Sequence, residues 1–530
     1  MNTRLNSTLT VTLLIFCCAI AQAQNPIPSI SSFSPPAVYA GGPSFKLTVK
    51  GTGFISSTVI YWSAFDPPLT TTFVSGTEVT AIVPADYITN PTTTYIYAYN
   101  PPPGGGESQN VAYSVIALDP SLSSLAPTAV VAGSPATTLT LSGSNFMDGA
   151  SVFFNNVKAP TTFVNSGELQ VQIPKSQLTK PEIVQVAVQN PPPGGLSPTL
   201  NFNVSYPAQV RTLNVPANDL VWDSKAQLIY ASLPSSYGTN GNSIAVINPV
   251  SGKITAYHFV GSEPTQLALS SDSSYLYVGL NGNGSVQRMI LPSFSLDINV
   301  SLGTNEFGEL NTASGLQVSP GDSHTVAVAV TSDSFGGPLE FFTDTTLLPD
   351  AITNPTVNSI QFANSSTLYG YGNDTLIEVA VNSSGGTLTK QWNDALSGQG
   401  GISYDAGLIY DNSGQVFNPA TGELVGSYDV EGECCSSIDL LPESANNATF
   451  VVGTTPFFSS FGITSYNLSQ FTPQAIIDLS QFNGTITPTF ISWGAEGLAF
   501  VINVGQCCNG PEYQTILVQS LMMKSPGKAK

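Results

Sequence analysis

The segment Asn100-Pro101-Pro102-Pro103-Gly104-Gly105 returns as Asn190-Pro191-Pro192-Pro193-Gly194-Gly195, 90 residues further on. A period of this length marks tandem small domains, so the repeat divides the chain into a duplicated front and a different back. The strands around the motif repeat with it. Lys46-Leu47-Thr48-Val49-Lys50-Gly51-Thr52-Gly53-Phe54 matches Thr138-Leu139-Thr140-Leu141-Ser142-Gly143-Ser144-Asn145-Phe146. Val79 to Pro84 matches Leu169 to Pro174, and Tyr95 to Tyr99, ahead of the first motif, corresponds to Val184 to Val188 ahead of the second.

Each copy therefore carries several short segments of period two, separated by Gly, Pro and Asn turns. That is the pattern of an antiparallel β-sandwich of about 90–100 residues. The Gly-x-Gly/Asn-Phe step predicts a flexible residue at a turn, followed by an aromatic that plugs the core. The proline run ends strand pairing, and the glycines let the chain reverse. Backbone geometry accounts for both residue types, so the motif reads as a closing turn more than as a contact surface.

These steps and loops resemble the IPT/TIG family of immunoglobulin-like domains, over residues 24–117 and again over 118–206. The resemblance implies extracellular spacers or interaction modules beside a larger domain. Neither copy contains cysteine, so neither has an inter-sheet disulfide.

Beyond residue 206 the texture changes to hairpin modules. Asp219 to Asp223 and Gln227 to Ala231 precede Asn242 to Asn248, and the turn Pro249-Val250-Ser251-Gly252 leads into another strand. Thr265 to Ser270, Tyr275 to Gly279 and Gly284 to Arg288 repeat the plan. Further modules start near Gly315, Val357, Gly401, Ser436 and Phe490. Four short antiparallel strands per module is the layout of a propeller blade. Residues 208–522 spread over seven modules give 45 residues each, in line with the roughly 40–50 residues of propeller repeats. The stretch Leu267 to Gly279 and the turns Asn248 to Gly252 and Asn418 to Gly422 resemble the YVTN-type propeller repeat of bacterial surface proteins. The expected fold is thus all-β: two Ig-like sandwiches, then a propeller over 207–523, most simply seven-bladed, and a basic tail at 524–530.

Composition agrees. Only 9% of residues are charged, against a typical ~25%. Acidic residues outnumber basic ones 34 to 14, a net charge of −20. Such a surface repels phosphate backbones and argues against nucleic-acid binding, including that of an intracellular DNA-binding branch of the IPT/TIG family. Residues 1–23 read as a cleaved signal peptide. Arg4 is its positive end, Leu9 to Ile20 its apolar stretch and Ala21-Gln22-Ala23 its small-x-small cleavage site. Leu14-Ile15-Phe16 is too bulky for a lipobox ahead of Cys17 and Cys18. No later segment is long and apolar enough to span a membrane. The expected location is secreted or cell-surface.

Little in the chain announces chemistry. His258 and His324 are the only histidines, isolated and read as structural. The acidic clusters Asp429-Glu431-Glu433 and Glu306-Glu309 lack a calcium-loop pattern and read as solvated loops. Asp272 and Asp322 read as turn-capping aspartates. No Gly-x-Ser-x-Gly elbow occurs. No cofactor or metal is expected. Cys434, Cys435, Cys507 and Cys508 form two adjacent pairs and should be oxidised in a secreted chain. At least one bridge between the pairs is favoured over a strained ring within each. The function this supports is non-catalytic binding or adhesion toward an extracellular carbohydrate or protein. Propeller loops would be the recognition face and the sandwiches spacers. The rivals are an extracellular propeller lyase or hydrolase and an envelope scaffold without a discrete ligand.

Overall fold

The computed structural model describes residues 24–523 apart from 117, 193, 333–335, 399–400, 431–437, 456–457, 483–484 and 505–511. Cys434, Cys435, Cys507 and Cys508, with Glu431 and Glu433, residues 1–23 and the basic tail, lie outside the described residues.

Residues 29–116 form two sheets. One has the order Ser29–Ser34, Phe45–Thr52, Glu78–Val83, Thr70–Ser75. The other has Ala37–Tyr39, Val111–Ile116, Thr92–Asn100, Val59–Tyr61, with Gly106–Glu107 also paired to Thr92–Asn100. Leu47, Val49 and Val79 of the first sheet share one core with Ile60, Ile96 and Tyr113 of the second. Residues 121–205 repeat both strand orders. There the second sheet gains an edge strand, Val157–Ala159, after a turn at Asn155 and Asn156 that takes positive φ at both residues.

Two features of these sheets escape a reading of local pattern. Ala37–Tyr39 runs parallel to Val111–Ile116, and Ala129–Val131 parallel to Leu200–Ser205. The partners are some 75 residues apart in sequence, so no hairpin signal announces them. The glycine step makes its turn where the pattern puts it, at Gly53 and Asn145, which adopt φ of 76° and 62°. Its first glycine has a role that local pattern does not show: Gly51 and Gly143 lie inside strands. A Cβ on either would collide with the neighbouring strand's carbonyl, at Ser29 or Ser121, and with the ring of Phe54 or Phe146. Phe54 and Phe146 are buried as the plug.

The repeated motif's important residue is its asparagine. Asn100 is fully buried; its Nδ2 donates to the carbonyls of Pro26 and Gly53, both at 2.8 Å, and its Oδ1 accepts from the Thr58 hydroxyl at 2.6 Å. Asn190 does the same with Leu118 and Asn145 carbonyls at 2.9 and 2.7 Å and the Met147 N–H at 3.0 Å. Each side chain thus satisfies backbone groups of two other loops.

From residue 208 onward the described residues form seven four-stranded antiparallel sheets. The first is Asp219–Asp223, Leu228–Leu233, Ser243–Asn248, Lys253–Phe259. Five more follow in chain order. The seventh takes Thr485–Trp493, Gly497–Asn503 and Tyr513–Ser520 from the end of the chain and completes itself with Ala208–Leu213 from the start. The strand at 208 was not foreseen, because its partner lies some 300 residues away.

The cores lie between the sheets. Tyr230, Ile244 and Val246 of the first pack with Leu276, Val278 and Met289 of the second. Clusters of this kind join each sheet to the next. A further cluster joins the seventh back to the first through Trp493, Ala499 and Val501 with Ile229, Ala231 and Ala245. The series of sheets therefore closes on itself. The first strands neighbour one another all the way round. Polar bonds staple neighbours as well. Asp219 accepts the Leu267 N–H at 2.8 Å, Ser273 donates to Asp223 at 2.8 Å, and Ser444 donates to Asp405 at 2.7 Å.

Asn100→Ala and Asn190→Ala each strand two part-buried carbonyls and one donor. Each is expected to destabilise the sheets it serves by about 2–4 kcal/mol, read as a lowered denaturant midpoint of the full chain. Asn→Asp should not rescue, because a carboxylate cannot donate to the carbonyls.

Candidate functional site

The densest polar constellation centres on a residue that the sequence gives no reason to single out. Arg288 sits on Ser285–Ile290, the third strand of the second sheet, directly opposite Tyr277 on Tyr275–Leu280. It is 5% exposed. Burying a guanidinium is costly unless its N–H groups are paired. Here Nε and Nη2 reach Asp297 at 2.7 and 2.6 Å, and Nη1 reaches Asp344 at 2.6 Å and the Tyr277 hydroxyl at 3.2 Å. The guanidinium carbon lies 4.3 Å from the centroid of the Tyr275 ring, a cation–π contact. Burial works against the charge, but the bonds to Tyr277, Asp344 and Asp297 outweigh it and raise the pKa further.

Asp344 links this cluster to the third sheet. Its Oδ1 also receives Nδ1 of His324 at 2.7 Å. With that nitrogen donating to Asp344, its 3.3 Å approach to Arg288 Nη1 is a contact and not a hydrogen bond. The bonds from His324 and Arg288 hold the Asp344 carboxyl below the usual carboxylate range. His324 follows a turn capped by Asp322, whose Oδ1 accepts the His324 N–H at 3.0 Å.

The exposed side of Asp344 faces a cleft of ≈ 990 Å³ between turns of the third and fourth sheets. The third-sheet wall holds Ser319, Asp322, Thr325, Thr343 and Asp344 from the ends of Thr312–Val318, Thr325–Thr331 and Gly336–Thr343. The fourth-sheet wall holds Ser365, Asn382 and Ser383. The lining mixes hydroxyls, an amide and carboxylates with apolar surface in near-equal measure, Leu348 and Val381 contributing to the latter.

The other sequence-marked residues have local roles. His258 lies on the fourth strand of the first sheet and stacks on Phe294 at 4.2 Å, and burial pushes its pKa down. Asp272 caps its own turn by accepting the Ser274 N–H at 3.0 Å. Glu309 accepts from the Asn305 side chain at 2.6 Å within one loop. The backbone carbonyl of Asp429 accepts the Tyr466 hydroxyl. Among the described residues no group of three or more His, Cys, Asp or Glu is arranged to hold a metal ion. Two unforeseen carboxyls open the first strands of the first and sixth sheets. Burial pushes Asp219 and Asp439 up to about 7 each, despite backbone N–H bonds that oppose the shift.

Comparison with known proteins identifies one domain. Residues 120–206 match the IPT/TIG domain. They include the second asparagine–proline motif and the Gly143 to Phe146 step. No curated protein matches the chain. Among solved structures, the β-propeller domain of Cps50 (Swd1) from Myceliophteria thermophila is 10% identical, with a TM-score of 0.43, covering 59% of this chain and 99% of that one. An auxiliary nutrient binding protein from Bacteroides thetaiotaomicron is 11% identical with a TM-score of 0.35, covering 76% of this chain and 98% of that one. The dihydro-heme d1 dehydrogenase NirN is 12% identical with a TM-score of 0.40, covering 63% and 71%.

Two outcomes follow for the full chain. Arg288→Met leaves the part-exposed Asp297 and Asp344 without their shared cation and is expected to cost about 1–3 kcal/mol of stability, measured by denaturant unfolding. Arg288→Lys should recover little, since one ammonium cannot serve both carboxylates. For Asp439, the folded-state pKa lies above the unfolded one, so the fold favours the neutral acid. Its contribution is present at acid pH and is lost as pH rises from about 4 through about 7. Asp439→Asn should therefore gain on the order of 1–3 kcal/mol over the parent at pH 8 and nothing near pH 4.

Proposed function

We propose that the protein is an exported, non-catalytic binding protein: a seven-bladed propeller carries the recognition surface, and two IPT/TIG-like sandwiches serve as its spacers. The seven sheets with their cyclic series of cores support the blade count. The matching strand orders and buried asparagines support a second sandwich over the first copy of the repeat. YVTN-like modules, the apolar leader and the acidic surface support export.

The observation that carries the binding reading is the cleft between the third and fourth sheets. It is open, lined by polar and apolar surface in near-equal measure, and large enough for a small ligand. Its ionisable groups are engaged in structure: Asp322 in a turn cap, and His324 and Arg288 in bonds to Asp344. Catalysis needs a nucleophile within reach of an unengaged base. A wall of hydroxyls braced from behind by fixed charges suits recognition better.

The test is to probe the full exported chain on an array of neutral, acidic and amino glycans and on immobilised cell-envelope material. Saturable binding to at least one class is expected. Absence of binding at micromolar protein on every surface, or turnover of a bound ligand, would overturn the reading.

A further inference from the structure

We propose that the cleft between the third and fourth sheets takes a neutral, polyhydroxylated ligand, about one to three sugar units in size; this rests on the binding reading above and names its ligand class. The argument is the direction of the hydrogen bonds around the cleft.

The third-sheet wall is an acceptor wall. Thr325 gives its single hydroxyl proton to Asp322 Oδ2 at 2.7 Å. In its 2.8 Å contact with Thr343 it therefore accepts, and Thr343 donates. The Thr343 oxygen is left with lone pairs alone to offer. Asp344 is ionised, and its Oδ1 takes both the Arg288 and the His324 donors. Its Oδ2 takes neither and remains an acceptor at the cleft. The opposite wall is different. Asn382 accepts the Ser384 N–H through Oδ1 at 2.8 Å, which leaves its amide N–H groups as donors, and Ser383 adds a hydroxyl beside it.

A ligand spanning these walls must donate to one and accept from the other. Hydroxyl groups do both. Carboxylates cannot donate to Asp344, and the two cleft aspartates repel carboxylates and phosphates alike. Arg288, the cation behind Asp344, has its donors committed to Asp297, Asp344 and Tyr277. A flat aromatic ligand finds no ring among the cleft-lining residues on which to stack. Leu348 and Val381 supply the small apolar contact that the C–H face of a sugar needs.

The experiment is calorimetric titration of the full exported chain with cellobiose, maltose and lactose, against cellobionate as the anionic counterpart. At least one neutral disaccharide is expected to bind, with cellobionate at least tenfold weaker. Ser383→Trp obstructs the cleft from an exposed turn on the wall opposite Asp344 and touches none of the bonds of the Arg288 cluster. It should abolish binding with the unfolding temperature unchanged. Asp344→Asn, which also disturbs that cluster, should weaken binding at least tenfold. Disaccharide binding that survives Ser383→Trp, or equal binding of cellobionate, overturns this proposal and leaves the general binding reading standing. No disaccharide binding beside a positive array also overturns it. Silence on both the titration and the array removes the two together.

Discussion

A four-stranded sheet whose middle strands are buried on both faces cannot stand alone. Leu228–Leu233 and Thr325–Thr331 are such strands, with almost no residue reaching solvent. Every sheet of this kind must lie between two others, and a linear stack would always end on a bare apolar face. The chain meets the requirement by returning to its start. Ala208–Leu213 completes the sheet made by the last three strands, and Trp493 packs with the core of the first sheet. Sheet order, core placement and the position of the cleft all depend on that closure.

Closure also explains why charge appears where it does. Sheets that meet face to face favour polar groups at strand ends and turns. Bonds such as Asp219 to Leu267 and Asp223 to Ser273 occupy those ends. Arg288 is a buried cation within a strand, and it is held by two carboxylates and two tyrosines. That cluster ties the second sheet to the third and fixes Asp344 at the mouth of the cleft. A stabilising arrangement thus sets the geometry of a surface site, since Asp344 can present one oxygen outward because the other is pinned behind it.

Strand modules were legible because their signals are local. Alternation, Gly and Pro turns and Asp-capped hairpins place Asp219–Asp223, Tyr275–Leu280 and Ser285–Ile290 within a residue or two of where the pattern puts them. The asparagine–proline repeat was legible as a boundary, but its mechanism was not. Asn100 acts through the carbonyls of Pro26 and Gly53, residues 74 and 47 positions away. Gly53 was legible as a turn, but the close approach of strands at Gly51 was not. The parallel pairing of Ala37–Tyr39 left no local trace at all.

By itself the sequence determined an all-β chain with a duplicated front, a modular back and an acidic surface, because period, turn chemistry and charge are properties of neighbouring residues. Only the tertiary structure decided which modules touch. Arg288, His324 and Asp344 are spread over 56 positions and meet because adjacent sheets stack. The candidate site is a consequence of that stacking, which depends on long-range burial and is written in no single segment.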